Sequence, residues 1–334
     1  MRHEIRNTFG INVSCRRYIE LTDVGKAQDA VRTLTDADEP LLVVGAGSNM
    51  LFTDDFAGTV LHPAMRDMHV TTEASDHVII SCGAGMPWDE FAACNISKGR
   101  YGLENLSGIP GDVGSAAVQN IGAYGVEVKD FIREVSAVDL TARTGDIVNI
   151  PATDIRYGYR YSRFKDEWRG RYLITGVTFV LPKTFSPHTE YGNIRKVLGD
   201  RGISHPTAEE MRQTVLDIRN AKLPDPKVMG NAGSFFMNPV VSREKYLSLL
   251  DDCPDMPHYH VDDNHEKIPA AWLIEQCGWK GRSMGNAAVH DRQPLVLVNK
   301  GGATGEEIVR LCRAIQTDVS RRFGISLKTE VIII

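Results

Sequence analysis

Residues 108–125 contain five glycines and a single formal charge, that of Asp112. Glycine lets backbone N–H groups approach a flat or anionic ligand closely, because it has no side chain and tolerates positive φ. The alternative, a surface loop, would expose the apolar side chains of Ile109, Val113 and Ile121 to water. The segment has too few large side chains for an ordinary amphipathic helix, and it predicts a buried cofactor cradle.

A second glycine-rich stretch, residues 45–49, follows an apolar run at 41–44 that predicts a strand. Glycines at a strand end commonly present N–H groups to a pyrophosphate. The dinucleotide fingerprint fails because Met50 stands where its third glycine belongs, and no Gly-Lys-Ser/Thr follows to make a P-loop. Taken alone, this stretch fits a simple tight turn equally well.

Arginine and tyrosine are concentrated in residues 156–165. RNA binding by stacking and charge is disfavoured, because the chain has a net charge of −5 and no basic block. Two alternatives stay open. One is a half-exposed strand whose arginine side chains lay their aliphatic stems on apolar surface and keep their charged ends in water. The other is a site where the guanidinium group of an arginine binds a carboxylate or phosphate beside a tyrosine.

Ser234 and Glu330 gain no role from pattern alone. Ser234 does not complete the hydrolase motif Gly-x-Ser-x-Gly, because Phe236 occupies the last position. Glu330 lies in an apolar C-terminal run, 327–334, that predicts a strand, and alternation would turn its side chain to solvent. The acidic stretch 251–265 contains three histidines without a zinc spacing, so it favours a solvated loop over a metal site.

The 334 residues are enough for two or three domains, and 42% hydrophobic and 24% charged residues indicate an ordinary globular protein. Six scattered cysteines predict reduced thiols. The N-terminus resembles no signal peptide, and no apolar run is long enough to span a membrane. We expect a cytoplasmic protein without nucleic-acid or membrane partners.

The elements that must position these residues follow an irregular α+β order rather than regular βαβ alternation. Capping boxes at Thr207/Glu210 and Thr304/Glu307 predict the starts of two helices, and Pro224 with Pro226 predicts a domain boundary. Further strands are predicted at 77–82, 134–140, 147–150 and 171–181, and further helices at 87–98 and 268–277.

Six stretches, in this order, together resemble one family, the UDP-N-acetylenolpyruvoylglucosamine reductases of bacterial cell-wall synthesis. They are 45–52 (GAGSNMLF), 108–111 (GIPG) through 119–125 (QNIGAYG), 159–165 (YRYSRFK), 222–227 (KLPDPK), 230–236 (GNAGSFF) and 287–290 (AAVH). Residues 159–162 with Tyr191 and Gly192 look like the longer family subtype, in which an extra loop closes over substrate.

The resemblance implies an α+β, vanillyl-alcohol-oxidase-type fold that binds FAD non-covalently. It implies two FAD-binding subdomains, 1–69 and 70–222, and a substrate domain, 223–324, with 325–334 returning to the first. Its implied cofactor-binding residues are Val44, Gly45, Ala46, Gly47, Ser48, Asn49, Ile109, Gly111, Gly114, Ser115, Ile121, Gly122 and Ala123.

The implied reaction uses NADPH to reduce UDP-N-acetylglucosamine enolpyruvate to UDP-N-acetylmuramate. By resemblance, Arg160 and Glu330 stabilise the developing enolate and Ser234 donates the proton. The residues implied to bind substrate are Tyr159, Tyr191, Lys222, Asn238, Tyr259, Lys280 and Gln293. Met237 departs from the family pattern, which has lysine there. We expect a monomer.

Two other functions are compatible with parts of the pattern. One is a related flavin oxidase or dehydrogenase that acts on an alcohol or hydroxy acid, although Ser234 and Glu330 as an acid pair suit reduction of a double bond better. The other is a non-catalytic UDP-sugar-binding protein, which would need neither glycine-rich stretch.

Overall fold

A computed structural model describes residues 2–334, which divide into two compact units. Unit 1 comprises the N-terminal residues to Glu4, Ser14–Ala46 and Phe56–Ala221. Unit 2 comprises Ile5–Val13, Gly47–Asp55 and Lys222–Ile334. The glycine-rich stretch 45–49 is therefore shared between the two units.

The secondary structure is mixed. The strands are β1 (His3–Glu4), β2 (Ser14–Leu21), β3 (Leu41–Val43), β4 (Met50–Leu51), β5 (Phe56–Pro63), β6 (Met68–Glu73), β7 (His77–Gly83), β8 (Gly122–Ala123), β9 (Val126–Glu127), β10 (Ile132–Asp139), β11 (Ile147–Pro151), β12 (Tyr172–Pro182), β13 (Gly230–Ser234), β14 (Val240–Ser242), β15 (Tyr259–Asp262), β16 (His265–Lys267), β17 (Ser283–Met284), β18 (Ala287–Val289), β19 (Val296–Asn299) and β20 (Ile332–Ile333). The α-helices are α1 (Val24–Thr33), α2 (Trp88–Ile96), α3 (Val113–Gln119), α4 (Ala152–Ile155), α5 (Ile194–Asp200), α6 (Ala208–Lys222), α7 (Arg243–Leu250), α8 (Ala270–Gln276) and α9 (Gly305–Phe323).

Unit 1 contains two larger sheets and the two-stranded sheet of β8 and β9. The first has the strand order β1-β2-β5-β3, in which β2, β5 and β3 run parallel. The second is antiparallel, with the order β11-β10-β12-β7-β6. Its core holds α2 through the contacting rings of Trp88, Phe91 and Phe179, all fully buried. The first sheet ends with β3 directly before the glycine-rich stretch 45–49, and β7 of the second sheet ends at Gly83, next to the Ala84 carbonyl that accepts from Gly114 N of α3.

Unit 2 is built around the antiparallel sheet β13-β19-β18-β17 and the long helix α9. Apolar residues spaced along α9, including Ile308, Leu311, Ile315 and Val319, are buried, as expected for one face of an amphipathic helix. The capping box of Thr304 and Glu307 opens α9, and Gly324 ends it with a φ of 64°. β20 pairs in parallel with β4, so the C-terminus returns to residues 50–51.

Most predicted elements are confirmed. Strands β3, β7, β10, β11 and β12 and helices α2, α6, α8 and α9 lie within one to three residues of their predicted bounds. The capping box of Thr207 and Glu210 is formed, with Thr207 N donating to Glu210 Oε2 at 2.8 Å and Glu210 N to Thr207 Oγ1 at 3.2 Å. The strong local signals of caps and alternation therefore determine these elements.

Four segments differ from expectation. Residues 108–125 contain α3, a helix built from small side chains. Residues 156–165 form turns and a short 3₁₀ helix rather than a half-exposed strand. The acidic stretch 251–265 contributes β15 and the start of β16 instead of remaining a loop. The C-terminal run 327–334 is a strand only at Ile332–Ile333.

All six cysteines lie within the described residues and none of them forms a disulfide, as predicted. Burial raises the pKa of Cys82 and of Cys312 to about 12, which leaves both thiols protonated at neutral pH. Between residues 2 and 334, no helix is long and apolar enough to cross a membrane.

Candidate functional site

Helix α3 and the turn before it form the centre of the glycine-rich segment 108–125. A Cβ atom at Gly114 would lie 2.8 Å from the Cβ of Ala84, so only glycine lets α3 approach the end of β7 this closely. Gly114 N donates to Ala84 O at 2.9 Å, and Val113 N donates to Met86 O at 2.9 Å. Close packing thus explains Gly114, whose N–H group is already bonded within the protein.

The first part of the stretch 44–49 lies in unit 1, against the glycine-rich segment 108–125. It comprises Val44, Gly45 and Ala46. Asp112 accepts a hydrogen bond from the backbone N–H of Ala46. Its Oδ2 atom is 2.8 Å from the place where a Cβ of Gly45 would be. Val44 O contacts Nδ1 of His62 on β5 at 2.8 Å. The two glycine-rich stretches predicted to share a cofactor therefore meet at Asp112, a residue that no motif marks as functional.

Gly47, Ser48 and Asn49, the remainder of that stretch, lie in unit 2. A Cβ at Gly47 would be 2.5 Å from Arg6 O, and Thr8 N donates to Gly47 O at 3.2 Å. Asn49 donates through Nδ2 to Glu330 O at 3.2 Å, and its own carbonyl accepts from Ile332 N at 3.0 Å. Asn49 thereby fixes the backbone that carries Glu330.

Arg160 extends over the hairpin of β8 and β9 in unit 1. Its Nη2 donates to Gly122 O, and a Cβ at Gly122 would be 2.7 Å from Arg160 Nη1. The ring of Tyr159 has its centroid 5.4 Å from Arg160 Cζ. The structure thus brings Arg160 and Tyr159 together with Gly122, which lies between the other predicted cofactor residues Ile121 and Ala123.

The backbone at Arg160 is left-handed, with a φ of 52°, which is unusual for a residue other than glycine. Lys165 holds this turn, because its Nζ donates to Arg160 O at 2.9 Å and to Gln119 Oε1 at 2.7 Å. Ser162 Oγ donates to Val118 O at 2.6 Å. Sequence reasoning missed the roles of Lys165 and Gln119, although both lie within the quoted motifs.

Ser234 and Glu330 lie on adjacent segments of unit 2. Ser234 ends β13, opposite Val296, and Glu330 N donates to Phe235 O at 2.8 Å. A bridge between Phe236 and Thr329 continues this antiparallel pairing. Both Ser234 and Glu330 are half-buried. Two residues far apart in sequence, one with a hydroxyl and the other with a carboxyl group, are therefore carried on backbone segments that pair with each other.

Tyr191 lies beside the end of the glycine-rich segment in unit 1. A Cβ at Gly125 would be 2.4 Å from its ring, and Tyr191 is 51% exposed. Asn105 donates to Tyr124 O at 2.8 Å and to His188 O at 2.9 Å, which ties the loop before Tyr191 to this segment. An exposed aromatic ring on a tethered loop is available to contact a ligand.

The other predicted substrate residues lie in unit 2 and differ in their surroundings. Asn238 Oδ1 accepts from Ala270 N at the start of α8 at 2.9 Å. Gln293 is buried, and its Oε1 accepts from Leu295 N at 3.3 Å. Lys280 pairs with Glu275 at 2.7 Å, while Lys222 ends α6. The ring of the exposed Tyr259 faces Lys267, whose Nζ is 5.7 Å from the ring centroid.

The histidines of the acidic stretch make local contacts. His258 Nδ1 contacts Tyr246 Oη at 2.8 Å, His260 Nδ1 contacts Glu266 Oε1 at 3.4 Å, and His265 Nδ1 contacts Asp262 Oδ1 at 2.9 Å. No group of three or more metal-ligating side chains occurs in the part of the chain that the structure describes.

Family profiles match both halves of the chain. Residues 16–150 match the profile described as "FAD binding domain", and residues 225–334 match "UDP-N-acetylenolpyruvoylglucosamine reductase, C-terminal domain". The crystal structure of a UDP-N-acetylenolpyruvylglucosamine reductase from Thermus caldophilus superposes with a TM-score of 0.66 at 20% identity, covering 100% of this chain and 98% of that one. These matches confirm the predicted α+β class and its FAD-binding fold.

Curated relatives are similar over nearly the full length. The UDP-N-acetylenolpyruvoylglucosamine reductase of Paraburkholderia xenovorans (strain LB400) is 46% identical over 326 residues, covering 97% of this chain and 94% of the relative. The protein of that name from Bacteroides fragilis (strain YCH46) is 44% identical, covering 97% and 96% respectively. The chain therefore belongs to the family of UDP-N-acetylenolpyruvoylglucosamine reductases.

Proposed function

We propose that this chain reduces UDP-N-acetylglucosamine enolpyruvate to UDP-N-acetylmuramate, with NADPH as reductant, and that Arg160, Ser234 and Glu330 carry the chemistry. The observation that carries this proposal is the backbone pairing of residues 235–237 with 328–330, which joins the segment that follows Ser234 to the segment that carries Glu330 in unit 2. This pair suits addition of a proton to a carbon next to a carboxylate.

The glycine-rich backbone fits FAD. A side chain at position 45, 47 or 114 would come within 3.0 Å of the protein's own atoms, so glycine keeps the backbone of both glycine-rich stretches closely packed and free of side chains at these positions. Bare backbone of this kind is what a pyrophosphate-binding segment requires. We assign the pyrophosphate to residues 44–49 and to Ile109, Gly111 and Ser115, with Gly114 acting through close packing. Ile121, Gly122 and Ala123 would line the flavin, which when bound supplies the hydride that reaches the vinyl carbon.

Arg160 would stabilise the negative charge that develops on the substrate's carboxylate and adjacent carbon. A guanidinium offers two parallel N–H donors to a carboxylate, and one held in place beforehand needs no reorganisation during reaction. The left-handed backbone at Arg160 and its bonds to Lys165 and Gly122 supply that positioning.

Ser234 would donate the proton that quenches the enolate, and Glu330 would hydrogen-bond the substrate carboxylate from its protonated form. A serine hydroxyl is a weak acid, but an enolate in a site from which water is excluded is basic enough to take its proton. The adjacent backbone positions of the two residues allow them to act on neighbouring atoms of one substrate.

The UDP part of the substrate needs positive charge and an aromatic or amide surface. We assign the diphosphate to Lys222 and Lys280, whose ammonium groups suit phosphate oxygens. The remaining contacts are assigned to Tyr159, Tyr191, Asn238, Tyr259 and Gln293. We propose that the tethered loop ending at Tyr191 closes over substrate, as in the longer family subtype.

The proposal includes the domain bounds, the oligomeric state, the location and the cellular role of the enzyme. We propose FAD-binding subdomains at 1–69, with 325–334 returning to them, and at 70–222, and a substrate domain at 223–324. The enzyme would act as a monomer in the cytoplasm, where it would supply a peptidoglycan precursor and so support cell shape and division. Cysteines that form no disulfide are compatible with that compartment.

The first test of this function is the colour of the purified protein. We expect a yellow protein whose visible absorbance bleaches when NADPH is added under anaerobic conditions. A protein that never takes up FAD would contradict the proposal and favour a non-catalytic sugar-binding role. Reduction by NADPH without reoxidation by the enolpyruvyl substrate would instead favour an oxidase or dehydrogenase.

Lys165 offers a test of how Arg160 is positioned. We expect Lys165→Met to slow reoxidation of the reduced flavin by substrate about tenfold to a hundredfold, because a displacement of about 1 Å in a catalytic group has effects of this size. Lys165→Arg should recover part of the loss by donating to the same carbonyl oxygens. Stopped-flow absorbance measures both half-reactions.

A control variant and a comparison of the two half-reactions test this positioning role of Lys165. Lys98→Met, at an exposed position of unit 1, should behave as the wild type. If Lys165→Met slowed reduction by NADPH as much as reoxidation by substrate, Lys165 would be supporting the fold in general rather than positioning Arg160.

A further inference from the structure

Asp112 is a buried carboxylate at the junction of the two glycine-rich stretches. It is the only charged residue in 108–125, and 8% of its surface is exposed. Its side chain accepts the Ala46 N–H and lies against Gly45. One ionisable side chain therefore links the end of β3 to the turn that opens α3, within unit 1.

The backbone of this turn has its own supports. Asp112 N donates to Ser115 Oγ at 3.0 Å, and that hydroxyl donates to Asp112 O at 2.8 Å. Trp88 N donates to Gly111 O at 2.9 Å. Asp112 is also the N-cap residue of α3, in a capping box with Ser115, so removal of its carboxyl oxygens would weaken the start of this helix. Asparagine keeps a side-chain oxygen as acceptor, and Asp112→Asn therefore tests the charge with the least change in the turn.

The charges around Asp112 only partly offset its burial. Burial raises the pKa of Asp112 to about 6, against the opposing effects of the Ala46 N–H, His62 and Arg66. His62, on β5, is bonded to Val44 O, while Arg66, after β5, is paired with Glu90 of α2 at 2.7 Å. No cation bonded directly to the carboxylate is among the contacts that the structure gives for the described residues.

We propose that Asp112 is a proton-linked positioning residue for the cofactor: it takes up a proton when FAD binds and, once neutral, holds residues 45–46 against the turn at 111–115. This inference rests on the proposed function, because that function places the FAD pyrophosphate at these same backbone groups. An anionic pyrophosphate and an ionised carboxylate repel each other strongly in a buried site. Protonation removes this repulsion, while the carboxyl oxygen continues to accept the Ala46 N–H.

The affinity for FAD should fall as the pH rises, because FAD binding is linked to uptake of a proton by Asp112. Below about pH 6, Asp112 is largely protonated before binding, so the affinity for FAD should be nearly constant. Above that pH, binding must bring a proton with it, and the Kd should rise by up to about tenfold per pH unit until the pKa of the complex is reached. FAD should therefore bind more weakly at pH 8 than at pH 6.

Titration of the apoprotein with FAD, followed by flavin fluorescence between about pH 6 and about pH 8, tests this directly. The wild-type Kd should rise about tenfold or more over that range, and Asp112→Asn should show a flat profile and tighter binding at pH 8. Asp112→Ala should also be flat but weaker than Asp112→Asn, because it lacks the acceptor for Ala46. Asp146→Asn removes an exposed charge elsewhere in unit 1 and should follow the wild type.

Calorimetry on the wild type measures proton uptake on FAD binding directly and needs no folded variant. Binding heats measured at pH 7 in two buffers of different ionisation enthalpy should show net proton uptake, which Asp112→Asn should abolish. Equal pH slopes in the wild type and Asp112→Asn, or no proton uptake by the wild type, would overturn the proposal while leaving the proposed function intact. An apoprotein that binds no FAD at any pH would instead overturn the proposed function itself.

Discussion

Ser234→Ala is expected to stall the reaction after the flavin has been reduced. Reduction by NADPH should keep nearly its wild-type rate, because the proposed role of Ser234 belongs to the later step. Reoxidation by the enolpyruvyl substrate should slow about 10²- to 10⁴-fold, the usual contribution of a positioned general acid. Anaerobic stopped-flow absorbance of the flavin measures the two half-reactions separately.

A matched control separates this loss from a change in folding. Ser326→Ala removes an exposed hydroxyl of the same unit and should leave both half-reactions unchanged. Equal losses in both half-reactions of Ser234→Ala would refute its role as proton donor. Ser234 also ends β13, so a thermal melt of the variant should accompany the kinetics.

Glu330→Ala is expected to lower the rate of reoxidation by substrate about 10²- to 10³-fold, the size of effect seen when one stabilising hydrogen-bond donor is removed. Glu330→Gln should lose about tenfold or less, because its amide remains a neutral donor and so replaces the protonated carboxyl. The comparison of the two variants measures the hydrogen bond separately from the charge.

The backbone bonds at Glu330 do not depend on its side chain, so the two variants differ only in the side-chain group. Its N–H donates to Phe235 O and its carbonyl accepts from Asn49, so both substitutions leave these bonds in place. Glu244→Gln, at an exposed position of α7, serves as the control and should leave the rates of both half-reactions unchanged. If Glu330→Gln and Glu330→Ala were equally slow, Glu330 would not act as a protonated donor.

Elements with strong local signals could be predicted from the sequence. The ends of α9 follow from Thr304, Glu307 and Gly324, and β12 follows from its alternating apolar residues. Helix α3 could not be predicted in this way, because its residues are too small for a hydrophobic stripe. It forms where Gly114 packs against Ala84, and this is a tertiary contact that composition does not encode.

The candidate site required more than local pattern. The resemblance identified Arg160, Ser234 and Glu330, but the reasons for their placement appear only in the fold. Lys165 reaches across to Gln119, which is 46 residues away in sequence, and this bond supports an Arg160 backbone conformation that propensity disfavours. The contact of Asp112 with Ala46 is equally non-local, so neither positioning role has a sequence signature.

The central claim is that reduced flavin in this protein passes its electrons to the enolpyruvyl sugar nucleotide. The most direct measurement is an anaerobic absorbance trace of the NADPH-reduced protein after it is mixed with UDP-N-acetylglucosamine enolpyruvate. We predict rapid return of the oxidised flavin spectrum with formation of one equivalent of UDP-N-acetylmuramate. A reduced flavin that stays bleached with this substrate, yet reoxidises in air, would contradict the claim.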